Sequence, residues 1–133
     1  MSEAILEHVN FTVSDPAKTA QHLYDWFGWE VRWKGPSIYE GQTYHVGGTS
    51  SYVALYSPGK TDGNKGANAA SDVSYQTRGG LNHIAVVVDD LDATEEKIKA
   101  SGFNTHNHAD YEPGRRFYFR DADNIEFEVV SYR

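Results

Sequence analysis

The chain has 133 residues, of which 39% are hydrophobic and 14% aromatic, a composition typical of a folded globular protein and not of a disordered one. The formal net charge of −7 argues against nucleic acid or an anionic membrane surface as the main partner. The absence of cysteine excludes disulfides, thiolate metal ligands and cysteine nucleophiles. The N-terminus lacks a basic region followed by an apolar core, and no apolar run approaches the roughly 18 residues of a membrane span, so we expect a cytoplasmic protein with no membrane partner.

The first half of the chain predicts a strand, a helix and three more strands. The first strand surrounds His8, and Asp15 followed by Pro16 is typical of a helix start. Short β-branched and aromatic runs predict strands at 29–33, 43–47 and 52–57. The helix spacing predicts an inward face made of Ala20, Leu23, Tyr24 and Phe27.

The second half predicts the same order of elements. A strand around His83 leads to a helix capped by Asp90 or Asp92 and stopped by Gly102, with Leu91, Thr94 and Ile98 spaced for burial. A weak strand near 103–106 and two clear ones at 115–121 and 125–132 follow. The polar segment 105–114 predicts a loop, and the Gly-, Asn- and Ser-rich segment at about 58–79 predicts a linker. Whether either segment acts as a lid over the cavity is left open.

A shift of 75 positions aligns the first strand and helix with a later strand and helix, without gaps. His8 then meets His83 and Asp15 meets Asp90, as do Leu6 and Leu81, Val13 and Val88, and Thr19 and Thr94. We therefore predict an α+β fold of two β-α-β-β-β modules within a single domain spanning 1–133. Module one covers about 4–57 and module two about 80–133, and their strands form a cupped mixed sheet around a cavity.

Polar residues interrupt three of these strands on the face that their helices leave open. His8 shares that face with Asn10, His83 with Ala85, and Glu128 with Glu126, because side chains alternate along a strand. Two imidazoles and a carboxylate facing one cavity suit a divalent first-row metal with open coordination positions. The competing interpretation is that each histidine is an ordinary strand residue of the core or surface.

Three stretches resemble the vicinal oxygen chelate superfamily, which includes glyoxalase I, extradiol dioxygenases and the bleomycin- and fosfomycin-resistance proteins. They are LEHVNFTVSDPAKTAQHLYDWFGW, GLNHIAVVVDDLDATEEKIKASGF and FYFRDADNIEFEVVSY. The last is similar to the family's D-P-D-G-x-x-x-E ending, in which the metal-binding Glu falls seven residues after the first Asp; counting from Asp121 gives Glu128. The resemblance implies that His8, His83 and Glu128 bind Fe, Zn, Ni, Co or Mn, and that the protein is a homodimer whose sites are built from one chain or from two.

The sequence departs from glyoxalase I at one ligand position. The repeat places Ala54 opposite Glu128, so the fourth ligand of that enzyme, a glutamate, is missing, and the remaining set resembles the two-His-one-carboxylate site of extradiol dioxygenases. A Tyr at the offset of Tyr118 contacts substrate in those enzymes, although Ala122 and Asn124 replace the Pro and Gly of the family turn. The implied catalytic residues are Tyr118 and Glu128.

Other polar and aromatic residues are candidates for contact with substrate. Asn10 and Tyr56 follow from strand parity, Tyr44 follows as the repeat mate of Tyr118, and Arg116 suits an anionic substrate group, unless it is a plain surface residue. The same parity predicts that His45 faces its helix, and His22 lies mid-helix in a structural position. His106 and His108 either close over the cavity or are simply solvated.

Two functions from different classes fit these patterns. The first is a metal-dependent lyase, isomerase or dioxygenase acting on a small substrate that is chelated through vicinal oxygens. The alternative is a non-catalytic protein of the bleomycin-resistance type that binds and sequesters a small molecule.

Overall fold

The computed structural model describes residues 2–59, 72–111 and 114–132. The chain forms two compact units, Met1–Asn68 and Ala69–Arg133, and each holds a four-stranded mixed sheet and one α-helix. The predicted α+β class and the β-α-β-β-β order of both halves are confirmed. No helix within the described ranges is long and apolar enough to cross a membrane.

The first unit has the strand order β1-β4-β3-β2. Strand β1 runs parallel to β4, and the other neighbours are antiparallel. The elements are β1 (His8–Thr12), α1 (Pro16–Phe27), β2 (Glu30–Ser37), β3 (Gly41–Gly47) and β4 (Tyr52–Ser57).

The second unit repeats this arrangement with the order β5-β8-β7-β6, in which β5 is parallel to β8. A short 3-10 helix, Asp72–Gln76, precedes its first strand. The remaining elements are β5 (Ile84–Val87), α2 (Leu91–Ala100), β6 (Thr105–Tyr111), β7 (Gly114–Arg120) and β8 (Glu126–Ser131).

Both helices begin at the predicted aspartates. The carboxylate of Asp15 accepts a hydrogen bond from the backbone N–H of Lys18 at 3.2 Å, and that of Asp90 accepts one from Ala93 at 3.0 Å. Each bond satisfies one of the backbone donors that a helix start leaves open. Helix α1 ends at Gly28, whose φ of 72° is the left-handed conformation that glycine adopts without strain.

The buried face of α1 differs in part from the prediction. Tyr24 is 53% exposed, so its assignment to the inward face is wrong, whereas Trp26 is 3% exposed. Trp26 lies three residues after Leu23 and seven after Thr19, which places these three side chains on one face. The burial of Leu91, Thr94 and Ile98 on α2 is confirmed.

The weak strand predicted near 103–106 is the beginning of the edge strand β6 (Thr105–Tyr111), so the loop predicted at 105–114 is wrong over that range. Its polar composition suits an edge position, where one row of backbone groups faces water. A bulge between His106 and Ala109, with Asn107 at a φ of 55°, breaks the alternation on which strand prediction relies. Of the predicted linker, residues 60–71 lie outside the described residues.

Candidate functional site

Strand alternation divides the second sheet into an apolar face and a polar one. Phe117 and Phe119 are fully buried on the side of α2, together with Phe127 and Val129 of β8. The opposite face of β7 and β8, here called the open face, has Tyr118 directly across from Glu128. The other side chains of β7 and β8 on the open face are Arg116, Arg120, Glu126 and Val130.

His83 lies beside both glutamates of the open face. Its Nε2 is 3.1 Å from Oε1 of Glu128, and its Nδ1 is 3.6 Å from Oε2 of Glu126. The edge of its ring meets the Tyr118 ring with 5.6 Å between centroids. The structure therefore brings together three of the residues singled out from the sequence: His83, Tyr118 and Glu128.

Tyr75, on the 3-10 helix, completes this group and escaped the sequence reasoning. Its hydroxyl donates a hydrogen bond to Oε2 of Glu126 at 2.8 Å and lies 3.0 Å from Nδ1 of His83. Shielding of the hydroxyl from water and the bond to Glu126 raise the pKa of Tyr75 to about 12. One signal was present in the sequence, an aromatic residue within an otherwise polar linker, but it does not say which strand that ring would meet.

Counting protons decides the roles of the two ring nitrogens of His83. Tyr75 has one hydroxyl hydrogen, which it donates to Glu126, so its oxygen accepts from the Nδ1–H of His83. The Nε2 of a neutral ring then presents a lone pair to Oε1 of Glu128, and two acceptors 3.1 Å apart repel each other. A positive charge between them, either a second proton or a metal ion, removes this repulsion.

Two arginines hold the outer oxygens of the glutamates. Nη1 of Arg116 donates to Oε2 of Glu128 at 2.7 Å, and Nη2 of Arg120 donates to Oε1 of Glu126 at 2.9 Å. The Arg116 guanidinium also stacks over the Tyr111 ring at 4.6 Å. Its buried Nε has no hydrogen-bond partner within the described part of the chain. One oxygen of Glu128 is consequently held by Arg116, and the other is turned to His83.

Tyr118 is partly buried on the open face. Burial and the negative charge of Glu128 raise the pKa of its phenol above the ordinary value of 10.0. The phenol is therefore uncharged at neutral pH and able to donate a hydrogen bond. This is the protonation state that a group needs if it is to stabilise charge developing on a substrate oxygen.

The turn between β7 and β8 fixes which residues share the open face. Asp121 caps it, accepting from the backbone N–H groups of Asp123 at 2.9 Å and Ile125 at 3.0 Å. Burial raises the pKa of Asp121 to about 6, although these two hydrogen bonds lower it. Asn124, which stands where the family turn has glycine, has a φ of 64°, and asparagine tolerates this left-handed region better than other residues.

The open face of the first unit carries stacked rings. Tyr52 lies 4.9 Å from the ring of His8 and 4.5 Å from that of His45, and Trp33 lies 4.9 Å from His45. Nδ1 of His8 is 2.9 Å from a Glu7 carboxylate oxygen that also accepts from the Tyr52 hydroxyl at 3.2 Å. These bonds from His8 and Tyr52 hold the pKa of Glu7 below its usual value.

The strand registers correct the predicted positions of two residues. His45, expected to face the helix, lies across from Ala54 on the open face, and Tyr44 lies across from Leu55 on the helix side. There Tyr44 lines a cleft of about 370 Å³ with Lys34 and residues of α1. The prediction that Tyr44 shares a face with the site residues is therefore wrong. The pairing Asn10 with Ala54 matches the pairing Ala85 with Glu128, so Ala54 does occupy the position equivalent to Glu128.

The remaining predicted residues fall on both sides of the sheets. Asn10 and Tyr56 are on the open face of the first unit, and the Tyr56 hydroxyl donates to the backbone oxygen of Ile38 at 3.0 Å.

His106 lies across from Tyr118 on the open face of the second unit. His108 meets Glu95 of α2 at 2.6 Å. His22 stacks on Trp26 at 4.7 Å, in keeping with a structural position.

The donor atoms of His83 and Glu128 fit ligands of one metal ion. Two ligands at about 2.1 Å from a first-row metal lie roughly 3.0–3.4 Å apart, and Nε2 and Oε1 are 3.1 Å apart. The Nδ1 of the same ring is held by Tyr75, the arrangement by which proteins orient a metal-binding histidine. In the described parts of the chain, however, no group of three or more His, Asp or Glu side chains is arranged to hold a metal.

The chain belongs to the glyoxalase/bleomycin resistance protein/dioxygenase superfamily, whose model matches residues 5–129. No curated protein matches the chain.

Solved structures share its fold at low identity. A glyoxylase/bleomycin resistance protein/dioxygenase domain from Frankia sp. EAN1pec has a TM-score of 0.79 and 23% identity, covering 99% of this chain and 94% of that one. The fosfomycin resistance protein FosX from Listeria monocytogenes has a TM-score of 0.66 and 22% identity over 98% and 94%. TnmS3, an antibiotic binding protein from Streptomyces sp. CB03234, has a TM-score of 0.70 and 16% identity over 98% of both chains. A fosfomycin resistance protein and an antibiotic binding protein thus share this fold.

Proposed function

We propose that the protein is a divalent-metal-dependent enzyme that acts on a small substrate chelated through two neighbouring oxygens, as a lyase, an isomerase or a dioxygenase. The observation that carries the proposal is the contact between Nε2 of His83 and Oε1 of Glu128. Because both atoms are hydrogen-bond acceptors, the contact needs a positive charge between them. FosX, a structural neighbour, has been solved in complex with Mn(II).

The proposed ligands are Nε2 of His83, Oε1 of Glu128 and an imidazole nitrogen of His8. His8 is included because it is the repeat equivalent of His83. In both histidines a neighbouring side chain lies within hydrogen-bond distance of Nδ1. Engagement of Nδ1 leaves Nε2 as the nitrogen for a metal. Imidazole and carboxylate together suit Fe, Zn, Ni, Co or Mn and do not select among them.

The metal would supply Lewis acidity toward the chelated oxygens. Tyr118 is proposed as a catalytic residue whose uncharged phenol donates a hydrogen bond to the substrate oxygen on which charge develops. Glu128 is proposed to combine ligand and catalytic roles, with Arg116 orienting its carboxylate. Asn10 and Tyr56 are proposed to contact substrate, and Arg116 to attract an anionic substrate group. The protein is proposed to work as a homodimer in the cytoplasm.

Metal binding tests the proposal. Protein purified without a His-tag is stripped with chelator and titrated with Mn²⁺, Fe²⁺, Zn²⁺ and Ni²⁺ by calorimetry. We expect one ion per chain for the wild type and at least a 100-fold loss of affinity in His83→Gln and Glu128→Gln. The control His108→Gln changes a histidine that pairs with Glu95 of α2, and it should bind like the wild type. Equal affinity in all four proteins, or no binding to the wild type, refutes the metal site.

One observation favours a binding protein as the second candidate function. Trp33, His45, Tyr52 and His8 form a run of ring contacts, and Trp33 is 49% exposed. Such rings stack on flat aromatic molecules without any metal. TnmS3 shows that this fold serves an antibiotic binding protein. Quenching of tryptophan fluorescence by a planar aromatic ligand, measured with and without chelator, separates the two functions. Equal binding in both conditions favours sequestration, and binding that requires metal favours the enzyme.

A further inference from the structure

The hydroxyl of Tyr75 touches the group on which the proposed function depends, yet it comes from the segment between the two repeats. The 3-10 helix Asp72–Gln76 places it 2.8 Å from Oε2 of Glu126 and 3.0 Å from Nδ1 of His83. Arg120 in turn holds the other oxygen of Glu126 at 2.9 Å. Arg120, Glu126, Tyr75 and His83 thus form one chain of hydrogen bonds that ends at the imidazole.

We infer that Tyr75 is a positioning residue for His83, whose Nδ1–H it accepts so that the Nε2 lone pair is directed at Glu128. Glu126 accepts the only hydroxyl hydrogen of Tyr75, which leaves the phenol oxygen as an acceptor for Nδ1–H. Without that oxygen, Nδ1 has Glu126 at 3.6 Å, beyond hydrogen-bond distance. The remaining partner for a ring proton is then Glu128, 3.1 Å from Nε2, and a protonated Nε2 does not bind a metal.

The role predicts a measurable change in the ring itself. Nitrogen NMR of metal-free protein, recorded where the ring is neutral, should show His83 as the Nδ1–H tautomer in the wild type and mainly as the Nε2–H tautomer in Tyr75→Phe. Tyr75 is 57% exposed, so loss of its hydroxyl should leave the fold intact. The control Tyr24→Phe removes a hydroxyl from an exposed residue of α1 and should keep the wild-type tautomer.

The second measurement concerns the proposed metal site, on which this part of the inference rests. Loss of a group that orients a metal-binding histidine typically costs about 10–100-fold in metal affinity, so Tyr75→Phe should bind Mn²⁺ that much more weakly than wild type and Tyr24→Phe.

The two measurements separate this inference from the proposed function. A tautomer change in Tyr75→Phe with no metal binding by the wild type supports the positioning role and refutes the enzyme. An Nε2–H tautomer in the wild type, or the same tautomer in both proteins, overturns the positioning role whatever the metal result. If the wild type does bind Mn²⁺, an equal affinity in Tyr75→Phe also overturns it.

Discussion

Tyr118 faces the contact between His83 and Glu128 without being one of the proposed ligands. Its phenol is uncharged at neutral pH because burial and Glu128 raise its pKa. A hydrogen bond to a charged oxygen contributes about 1.5–3 kcal/mol, which corresponds to roughly a 10- to 100-fold effect on binding. A hydroxyl in this position should therefore affect the chelated molecule more than the metal.

We predict that Tyr118→Phe keeps the wild-type affinity for Mn²⁺ but binds a vicinal-oxygen chelator such as catechol at least about 10-fold more weakly, as expected for one lost charged hydrogen bond. Calorimetric titration of the metal-loaded proteins measures both. A wild-type catechol affinity in Tyr118→Phe would remove Tyr118 from the site, and a loss of Mn²⁺ affinity would give it a different role.

Strand alternation alone predicted that the side chains of His83, Tyr118 and Glu128 lie on the sheet face away from the helix. Contacts that depend on the third dimension were not accessible in this way. Tyr75 reaches Glu126 across 51 residues of sequence from a linker with no periodic pattern. Arg116 pairs with Glu128, a contact that its sequence pattern left open between substrate and solvent.

Among the elements, the two β-hairpins show how one residue in a connection redirects a side chain. Gly47 pairs with Tyr52, leaving 48–51 as the connection, whereas Arg120 pairs with Glu126, leaving the longer 121–125. A shift of one residue in register turns every side chain of a strand to the other face. A shift of 74 positions, which pairs Ala54 with Glu128, matched Tyr44 with Tyr118, but the shorter connection makes His45 the true counterpart.

The β7–β8 turn should be sensitive to the residue at Asn124, whose φ is 64°. A β-branched residue in the left-handed region costs about 1–2 kcal/mol, so Asn124→Val should lower the free energy of unfolding by about 1 kcal/mol or more. Asn124→Gly, which adopts this conformation freely, should be neutral or slightly stabilising. Urea unfolding of the three proteins measures this. Equal stability of the Val and Gly variants would contradict the left-handed turn.

Asp121 in the same turn predicts a dependence of stability on pH. Its pKa is raised from 3.8 to about 6, so the folded protein holds this proton more tightly than the unfolded chain. The resulting stabilisation is complete below about pH 4 and is lost as the pH rises through about 6. Asp121→Asn keeps an oxygen acceptor for Asp123 and Ile125 but cannot ionise.

We therefore expect the stability of Asp121→Asn relative to wild type to increase between about pH 4 and pH 7 and to stay constant above that. Urea unfolding at several pH values measures it, and taking the difference between the two proteins removes the contribution of every other titrating group. A difference that does not change with pH would mean that Asp121 is not desolvated in the folded protein.

For the whole molecule, metal binding must appear as stability, because an ion that binds the folded state alone shifts the unfolding equilibrium. At a free concentration 100 times its dissociation constant, Mn²⁺ should add about 2.7 kcal/mol to the free energy of unfolding. His83→Gln should show no such gain at the same concentration. An equal gain in both proteins would place the binding of Mn²⁺ elsewhere on a chain whose net charge of −7 attracts cations in general.

The overall architecture was the most predictable level, because two copies of one strand–helix pattern carried equivalent helix-cap residues. The caps Asp15 and Asp90 and the parallel pairs β1–β4 and β5–β8 follow that repeat. Edge strand β6 was predicted only as a weak strand near 103–106, because a bulge and polar composition hide the period of its remainder. Prediction thus succeeded where burial imposes a pattern and failed where a strand meets water.

Anomalous diffraction from crystals grown with Mn²⁺ would test the central claim most directly. We predict a single strong peak per chain, about 2.0–2.2 Å from both Nε2 of His83 and Oε1 of Glu128, the usual distances for nitrogen and oxygen ligands. Refined structures with Nε2 and Oε1 still in contact and no peak beside them, at a Mn²⁺ concentration that occupies other sites, would contradict the claim.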